Sequence, residues 1–202
     1  MMTRRKTSWV LIILLLVAVS WGVYEIRYYS GLWWDYRTRP WAYSSDDNAK
    51  LLVGKWQGAF SDPDKVSKRL HLEIFEPTTE AERRKSAGKR NRRGGGIRHR
   101  DKTGFDGIAT IESRLGKEEY EVYGSVNRDD YHQLKLNFRP ADEQKRILPN
   151  FTASQGLDGS WQGDELRISL TFSYQRADGS SFSSSADPRY SKIAKVTLAR
   201  MR

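Results

Sequence analysis

The chain reads as an all-β protein, an antiparallel barrel, closed or nearly closed, of about seven or eight strands behind one N-terminal transmembrane helix. Three observations predict it. Residues 9–24 carry no charge and come two residues after Arg4, Arg5 and Lys6. Beyond Lys50 the apolar residues recur with a period of two, not 3.6. Clusters of Gly, Pro and Asp punctuate that alternation at short intervals.

The opening divides into a basic cytoplasmic tail over 1–7 and a signal anchor over 8–29. A basic head, an apolar core and then Ala18, Val19 and Ser20 also fit a cleaved secretory signal. Trp21, bulky and immediately past that cut, favours an anchor that stays. Sixteen residues rise about 24 Å as a helix, short of the roughly 30 Å hydrocarbon core. Continuing through Ile26, Tyr28 and Tyr29 closes the gap, with Arg27 reaching back to the headgroups. Nine Trp and Tyr residues lie between Trp21 and Tyr43, and such rings settle where acyl chains meet headgroups. Trp21, Tyr24, Tyr28, Tyr29, Trp33 and Trp34 are the predicted interfacial set. The same aromatics also suit docking to another membrane protein. The N-terminal cations favour a cytoplasmic N-terminus and an extracytoplasmic, for instance periplasmic, C-terminal body. The chain holds no cysteine, so an acyl anchor on cysteine is excluded.

Residues 30–50 read as an aromatic and polar juxtamembrane linker containing Pro40, and 51–202 as the barrel domain. Leu70, Leu72 and Ile74 alternate with polar neighbours, as do Tyr120, Val122 and Val126, then Leu134, Leu136 and Phe138. Leu166, Ile168, Leu170, Phe172 and Tyr174 follow, and Ala194, Val196 and Leu198 close the series. Segments 51–60 and 105–112 complete the count. These are half-buried strands with one wet face. Closure is the expected arrangement because it removes exposed strand edges. Residues 176–189, with five serines, read as a flexible hairpin loop.

The net charge of +10 is concentrated. Arg83, Arg84, Lys85, Lys89, Arg90, Arg92, Arg93, Arg98, Arg100 and Lys102 face only Asp101 within 83–102. They belong to a basic insert over 77–103, interrupted by Gly94, Gly95 and Gly96, whose composition cannot bury enough to order itself. Such an insert is either a solvated loop or a cationic arm for polyanions.

Gly54, Lys55, Trp56, Gln57 and Gly58 recur as Gly159, Ser160, Trp161, Gln162 and Gly163. Each Trp is expected at the start of a strand, with the flanking glycines leaving room across the indole. Arg200 shares the face of Val196 and Leu198, so its guanidinium points inward and can stack on Trp56 for about 0.5–2 kcal/mol. A Gly-x-Trp opening, antiparallel strands and a closing Arg resemble the lipocalin and wider calycin-like barrels. They are also similar to bacterial Gly-x-Trp-x-Gly domains of unassigned function. The resemblance implies a structural role in barrel closure for Gly54, Trp56 and Arg200. Gly58 and Trp161 join that set from the repeated pattern.

Chemistry-bearing motifs are sparse. His71, His99 and His132 are scattered, so no metal site is expected. His132 shares the parity of Leu134 and Leu136 and reads as a core or rim histidine. No nucleophile elbow, phosphate loop or dinucleotide fingerprint appears. The paired carboxylates fall at turns, giving no catalytic residue, no enzyme and no cofactor. The sequon Asn150, Phe151, Thr152 matters only in a glycosylating secretory pathway. The functional expectation is a non-catalytic, membrane-anchored interaction module of the cell envelope, whose insert contacts a partner protein or an anionic lipid or glycan. One alternative is a lipocalin-like carrier of a hydrophobic small molecule. The other is a nucleic-acid binder, should the domain face the cytoplasm.

Overall fold

The computed structural model describes residues 4–46, 48–78, 102–183 and 187–201. It contains a helical unit and a β unit.

Helix α1 spans Arg4–Thr38. Residues Ile12–Thr38 of it are long and apolar enough to cross a membrane. The helix runs nine residues past the predicted anchor 8–29, into the expected linker. No proline interrupts 25–38, and Gly31 alone does not break a helix. Pro40 ends it, because the residue before a proline is pushed out of helical φ/ψ. Thr38 Oγ1 donates to the Trp34 carbonyl at 2.8 Å. At 1.5 Å per residue the helix is about 52 Å long.

The β unit begins at Arg39, not at residue 51. Trp41 and Leu52 are fully buried in its core, so the expected linker 30–50 divides between the two units. Among the described residues nine strands follow: β1 Gly54–Ser61, β2 Ser67–Ile74, β3 Gly104–Ser113, β4 Gly116–Val126, β5 Gln133–Pro140, β6 Asn150–Gln162, β7 Glu165–Gln175, β8 Ser181–Phe182 and β9 Ala194–Arg200. Consecutive strands β1 to β7 pair antiparallel. β9 then pairs antiparallel with both β7 and β1. The ring closes as an eight-stranded antiparallel barrel, with β8 a two-residue flap on β7.

Alternation explains seven of the eight barrel strands. β7 buries Leu166, Ile168, Leu170 and Phe172 and turns the intervening residues outward. β6 is the strand the pattern does not predict. It is thirteen residues long, yet its register shifts twice, between Ala153 and Gln155 and between Leu157 and Ser160. Each bulge reverses which parity faces inward, so a period-two search loses the strand. This also corrects the second tryptophan: Trp161 lies one residue before the end of β6, not at the start of a strand. Gly163, at φ 60°, makes the turn into β7.

Residues 176–189 are likewise more ordered than expected where described. They include β8, and a short 3-10 turn, Pro188–Ser191, begins within them. Asp187 caps that turn by accepting from Arg189 N at 2.9 Å.

The interior is packed. Trp56, Leu72, Tyr120, Leu136, Phe151 and Leu170 are each at most 2% exposed. Burying each aliphatic member contributes about 1.5–3 kcal/mol. Gly124 belongs to this packing: a Cβ there would meet the Phe105 ring at 2.5 Å and the Lys135 carbonyl at 2.4 Å.

Candidate functional site

The strand registers give the barrel two mouths. The chain enters at one, where β1 begins and β9 ends. The other holds the β1–β2, β3–β4, β5–β6 and β7–β9 connections.

At the entry mouth Trp56 and Arg200 are register partners on β1 and β9. The Arg200 Cζ lies 4.3 Å from the Trp56 ring centroid. Trp56 Nε1 donates to the Leu52 carbonyl at 2.9 Å. Arg200 Nη1 donates to Val53 O at 2.9 Å, and Nη2 donates to Leu51 O. Asp164 Oδ1 sits 3.3 Å from Arg200 Nε. Burial pushes the guanidinium pKa down, and Asp164 opposes that shift. Gly54, at φ 128°, is required because its backbone lies where L side chains rarely go; a Cβ there would also displace the tip of Arg200, 2.9 Å away at Nη1. Gly58 allows close strand approach, since a Cβ there would lie 2.4 Å from the Thr197 carbonyl. These contacts fold residues 51–53 across the mouth.

Trp161 plays a separate role on the rim. Its Nε1 donates to the Tyr131 carbonyl at 2.9 Å, and His132 stacks on it at 4.9 Å between ring centroids. His132 is exposed and precedes β5, so it is a rim residue.

The roots of the basic insert emerge at the same mouth. Trp41 Nε1 donates to the Lys102 carbonyl at 3.4 Å, and Tyr43 Oη donates to the Pro77 carbonyl. Trp41 also stacks on Phe105, with centroids 5.7 Å apart. The entry segment is therefore bonded to both stems of the insert. Of the ten predicted cations, Lys102 lies on a described stem and is exposed. Arg83, Arg84, Lys85, Lys89, Arg90, Arg92, Arg93, Arg98 and Arg100 lie outside the described residues.

Of the predicted interfacial set, Trp21, Tyr24, Tyr29, Trp33 and Trp34 are exposed along α1. The Tyr28 side chain lies outside the described residues. Arg37 Cζ lies 5.3 Å from the Trp33 ring centroid.

The far mouth holds a buried polar network. Lys68 and Asp62 are 3.1 Å apart, with side chains 2% and 1% exposed. Lys68 Nζ also donates to Asn150 Oδ1 at 2.9 Å and to the Phe151 carbonyl. Asn150 Nδ2 donates to Glu118 Oε2 at 3.2 Å, and Tyr120 Oη donates to the same oxygen at 3.0 Å. Ile147 N donates to Glu118 Oε1 at 3.2 Å. Burial first, and then the Glu118 charge, push the Tyr120 phenol far above its ordinary range. Arg146 Nη1 donates to Gln175 Oε1 at 2.9 Å. Tyr174 and Tyr190 pack tilted and edge-on against Phe151 outside this network, with centroids 4.8 and 5.5 Å away. Arg189 bridges from Tyr190's turn to Asp64 at 3.0 Å.

Sequence reasoning missed this network, although the signal was present. Lys68 shares the parity of Leu70 and Leu72, and Glu118 that of Tyr120 and Val122, so both had to point inward. Asn150 and Thr152 are each 4% exposed, which puts the sequon inside the wall. Among the described residues no group of three His, Asp or Glu side chains is placed to hold a metal ion.

Among the described residues, hollows indent the β unit at both mouths and on the wall. One of about 250 Å³ opens at the far mouth over Glu118, Tyr120 and Arg146. One of about 550 Å³ lies on the outer wall, against Ser125, Lys135 and Asp158. One of about 420 Å³ lies on the entry rim, against His132, Trp161 and Glu165.

No protein-family model and no curated protein matches the chain. Among solved structures it is similar to a de novo designed fluorescence-activating beta barrel, at 14% identity and a TM-score of 0.40, over 77% of this chain and 99% of that one. It is also similar to EF1p2_mFAP2b bound to DFHBI, at 17% identity and a TM-score of 0.41, over 74% and 94% of the two chains. The closed-barrel topology stands on this chain's own strand pairings.

Proposed function

We propose that the protein is a membrane-tethered β-barrel interaction module of the cell envelope, without catalytic activity. Its basic insert contacts an envelope partner protein or an anionic lipid or glycan. One observation carries the reading. The entry segment, three residues after α1 ends, is hydrogen-bonded to both stems of the insert. A cationic arm rooted beside the first residues after a membrane helix meets anionic headgroups at about 1 kcal/mol per Lys or Arg. The exposed Trp and Tyr residues of α1 support the anchor.

The basic N-terminus supports an extracytoplasmic barrel. The Trp56–Arg200 stack and the glycine at 54 support membership among the Gly-x-Trp-x-Gly barrel domains. The packed interior favours an interaction module over a carrier, which needs an internal void. The decisive experiment pairs a compartment reporter fused after Arg202 with vesicle binding by an Arg90→Glu, Arg92→Glu, Arg93→Glu variant. Extracytoplasmic reporter activity and loss of salt-sensitive binding to anionic vesicles are expected. A cytoplasmic reporter, or unchanged binding by the variant, overturns the proposal.

A further inference from the structure

We propose that the outer groove of β4, β5 and β6 binds a neutral polyhydroxylated ligand, a short oligosaccharide. The site is distinct from the basic insert. Its shape comes first. The 550 Å³ wall hollow and the 420 Å³ rim hollow share Ser160. Each falls in the size range of small-ligand sites, about 300–1,000 Å³.

The groove is built by backbone irregularity rather than by side chains that rearrange. β6 pairs with β5 at Gln133–Ser160 and Leu134–Gly159, then shifts register before Leu136–Gly156. Asp158, at φ 48°, sits in the left-handed region that non-glycine residues seldom occupy. Gly159 keeps β6 close to β5: a Cβ there would lie 2.7 Å from the Leu134 carbonyl. Bulges of this kind re-aim side chains next to functional sites.

The chemistry selects the ligand class. Ser125, Gln133, Lys135, Asp158, Ser160 and Gln162 line the two hollows. None of these side chains has a hydrogen-bond or ion-pair partner among the described residues. Together they offer donors and acceptors in comparable number, which is what a sugar hydroxyl, itself both, requires. Lys135 and Asp158 offset each other, Glu165 is paired with Arg167, and Asp130 on the rim adds one negative charge. The lining therefore has no cationic excess to select a phosphate or carboxylate.

The floor supplies the apolar complement. Val126 and Leu134 are buried beneath the wall hollow. On the rim the exposed His132 ring packs against Trp161 at a 42° tilt. His132 Nδ1 is 2.9 Å from the Trp161 carbonyl. A carbonyl only accepts, so Nδ1 carries the proton and Nε2 of the neutral ring is a fixed acceptor. A flat ring with one acceptor at its edge suits a pyranose face with a hydroxyl beside it.

The test uses the full chain in phosphatidylcholine nanodiscs, free of sugar detergents, with cellotetraose and chitotetraose as probes. Saturation-transfer NMR is expected to show transfer to at least one of them. Ser160→Trp, which fills the groove from an exposed position, and Gln133→Ala with Lys135→Ala are each expected to weaken binding at least about tenfold. Asp106→Asn, outside both hollows, and the insert charge reversal are expected to leave it unchanged. No transfer to either sugar, equal binding by both groove variants, or binding of an extended peptide in place of the sugars overturns the proposal. Loss of sugar binding in the insert variant would move the ligand to the insert and overturn it equally.

Discussion

Arg200 reaches across the end of the barrel to lie over Trp56, its register partner, with 4.3 Å from guanidinium carbon to ring centroid. The same guanidinium donates to the carbonyls of Leu51 and Val53. One side chain therefore joins the first and last barrel strands and fixes the loop that crosses the mouth. Arg200→Ala removes a cation–π contact of about 0.5–2 kcal/mol and two charge-assisted hydrogen bonds. The expected loss is about 2–4 kcal/mol by urea denaturation. Arg200→Lys keeps the charge but loses the fork, and should fall between. An Arg200→Ala variant as stable as the parent would remove the closure role.

The Lys68–Asp62 pair is buried at the far mouth. Removing one partner strands the other, at about 3–5 kcal/mol. Lys68→Met is expected to destabilise by that amount. Lys68→Met with Asp62→Leu is expected to recover most of it, because an apolar pair of similar volume needs no compensating charge. A double variant no better than the single would mean that the bonds from Lys68 to Asn150 and Phe151, and from Val66 N to Asp62, dominate over the ion pair.

Tyr120 sets an alkaline limit. Its folded phenol titrates far above the unfolded value of about 10. Above pH 10 the unfolded chain therefore binds fewer protons than the folded one, and stability falls as pH rises. Below pH 10 the Tyr120 contribution is constant. Of the ten tyrosines, Tyr120 is expected to ionise only when the barrel opens, as read by phenolate absorbance. Tyr120→Phe should flatten the alkaline slope while losing the bond to Glu118, about 1–2 kcal/mol. An unchanged slope would refute the assignment.

Charge reversal at Arg90, Arg92 and Arg93 is expected to leave the thermal midpoint within error while abolishing salt-sensitive vesicle binding. A drop of several degrees would show that the insert packs on the barrel and would count against a free cationic arm.

Asn150 accepts from Lys68 and donates to Glu118 at 4% exposure. Expressed through a glycosylating secretory pathway, the folded protein should carry no glycan there, as mass spectrometry would establish. Occupancy at Asn150 would mean that glycosylation precedes closure of the barrel.

Local periodicity determined much of this protein. An uncharged run after three cations announced the helix, and parity along β2, β4, β5, β7 and β9 named the residues that fill the core. Parity also put Arg200 on the inner face, beside a glycine-flanked Trp56. These are properties of neighbouring residues, and a sequence states them directly. Tertiary structure decided what depends on distant partners. β9 met both β7 and β1, which turned a series of hairpins into a ring. The twice-bulged β6 stayed a strand because β5 and β7 hold its backbone on either side, despite a broken alternation. Lys68 found Asn150 across 82 positions. Residues from the expected linker entered the core because Trp41 had Phe105 to pack against. Barrel closure and the bonds from Lys68 to Asn150 and Phe151 are set by contacts between distant segments, and no short window along the chain contains both halves of either.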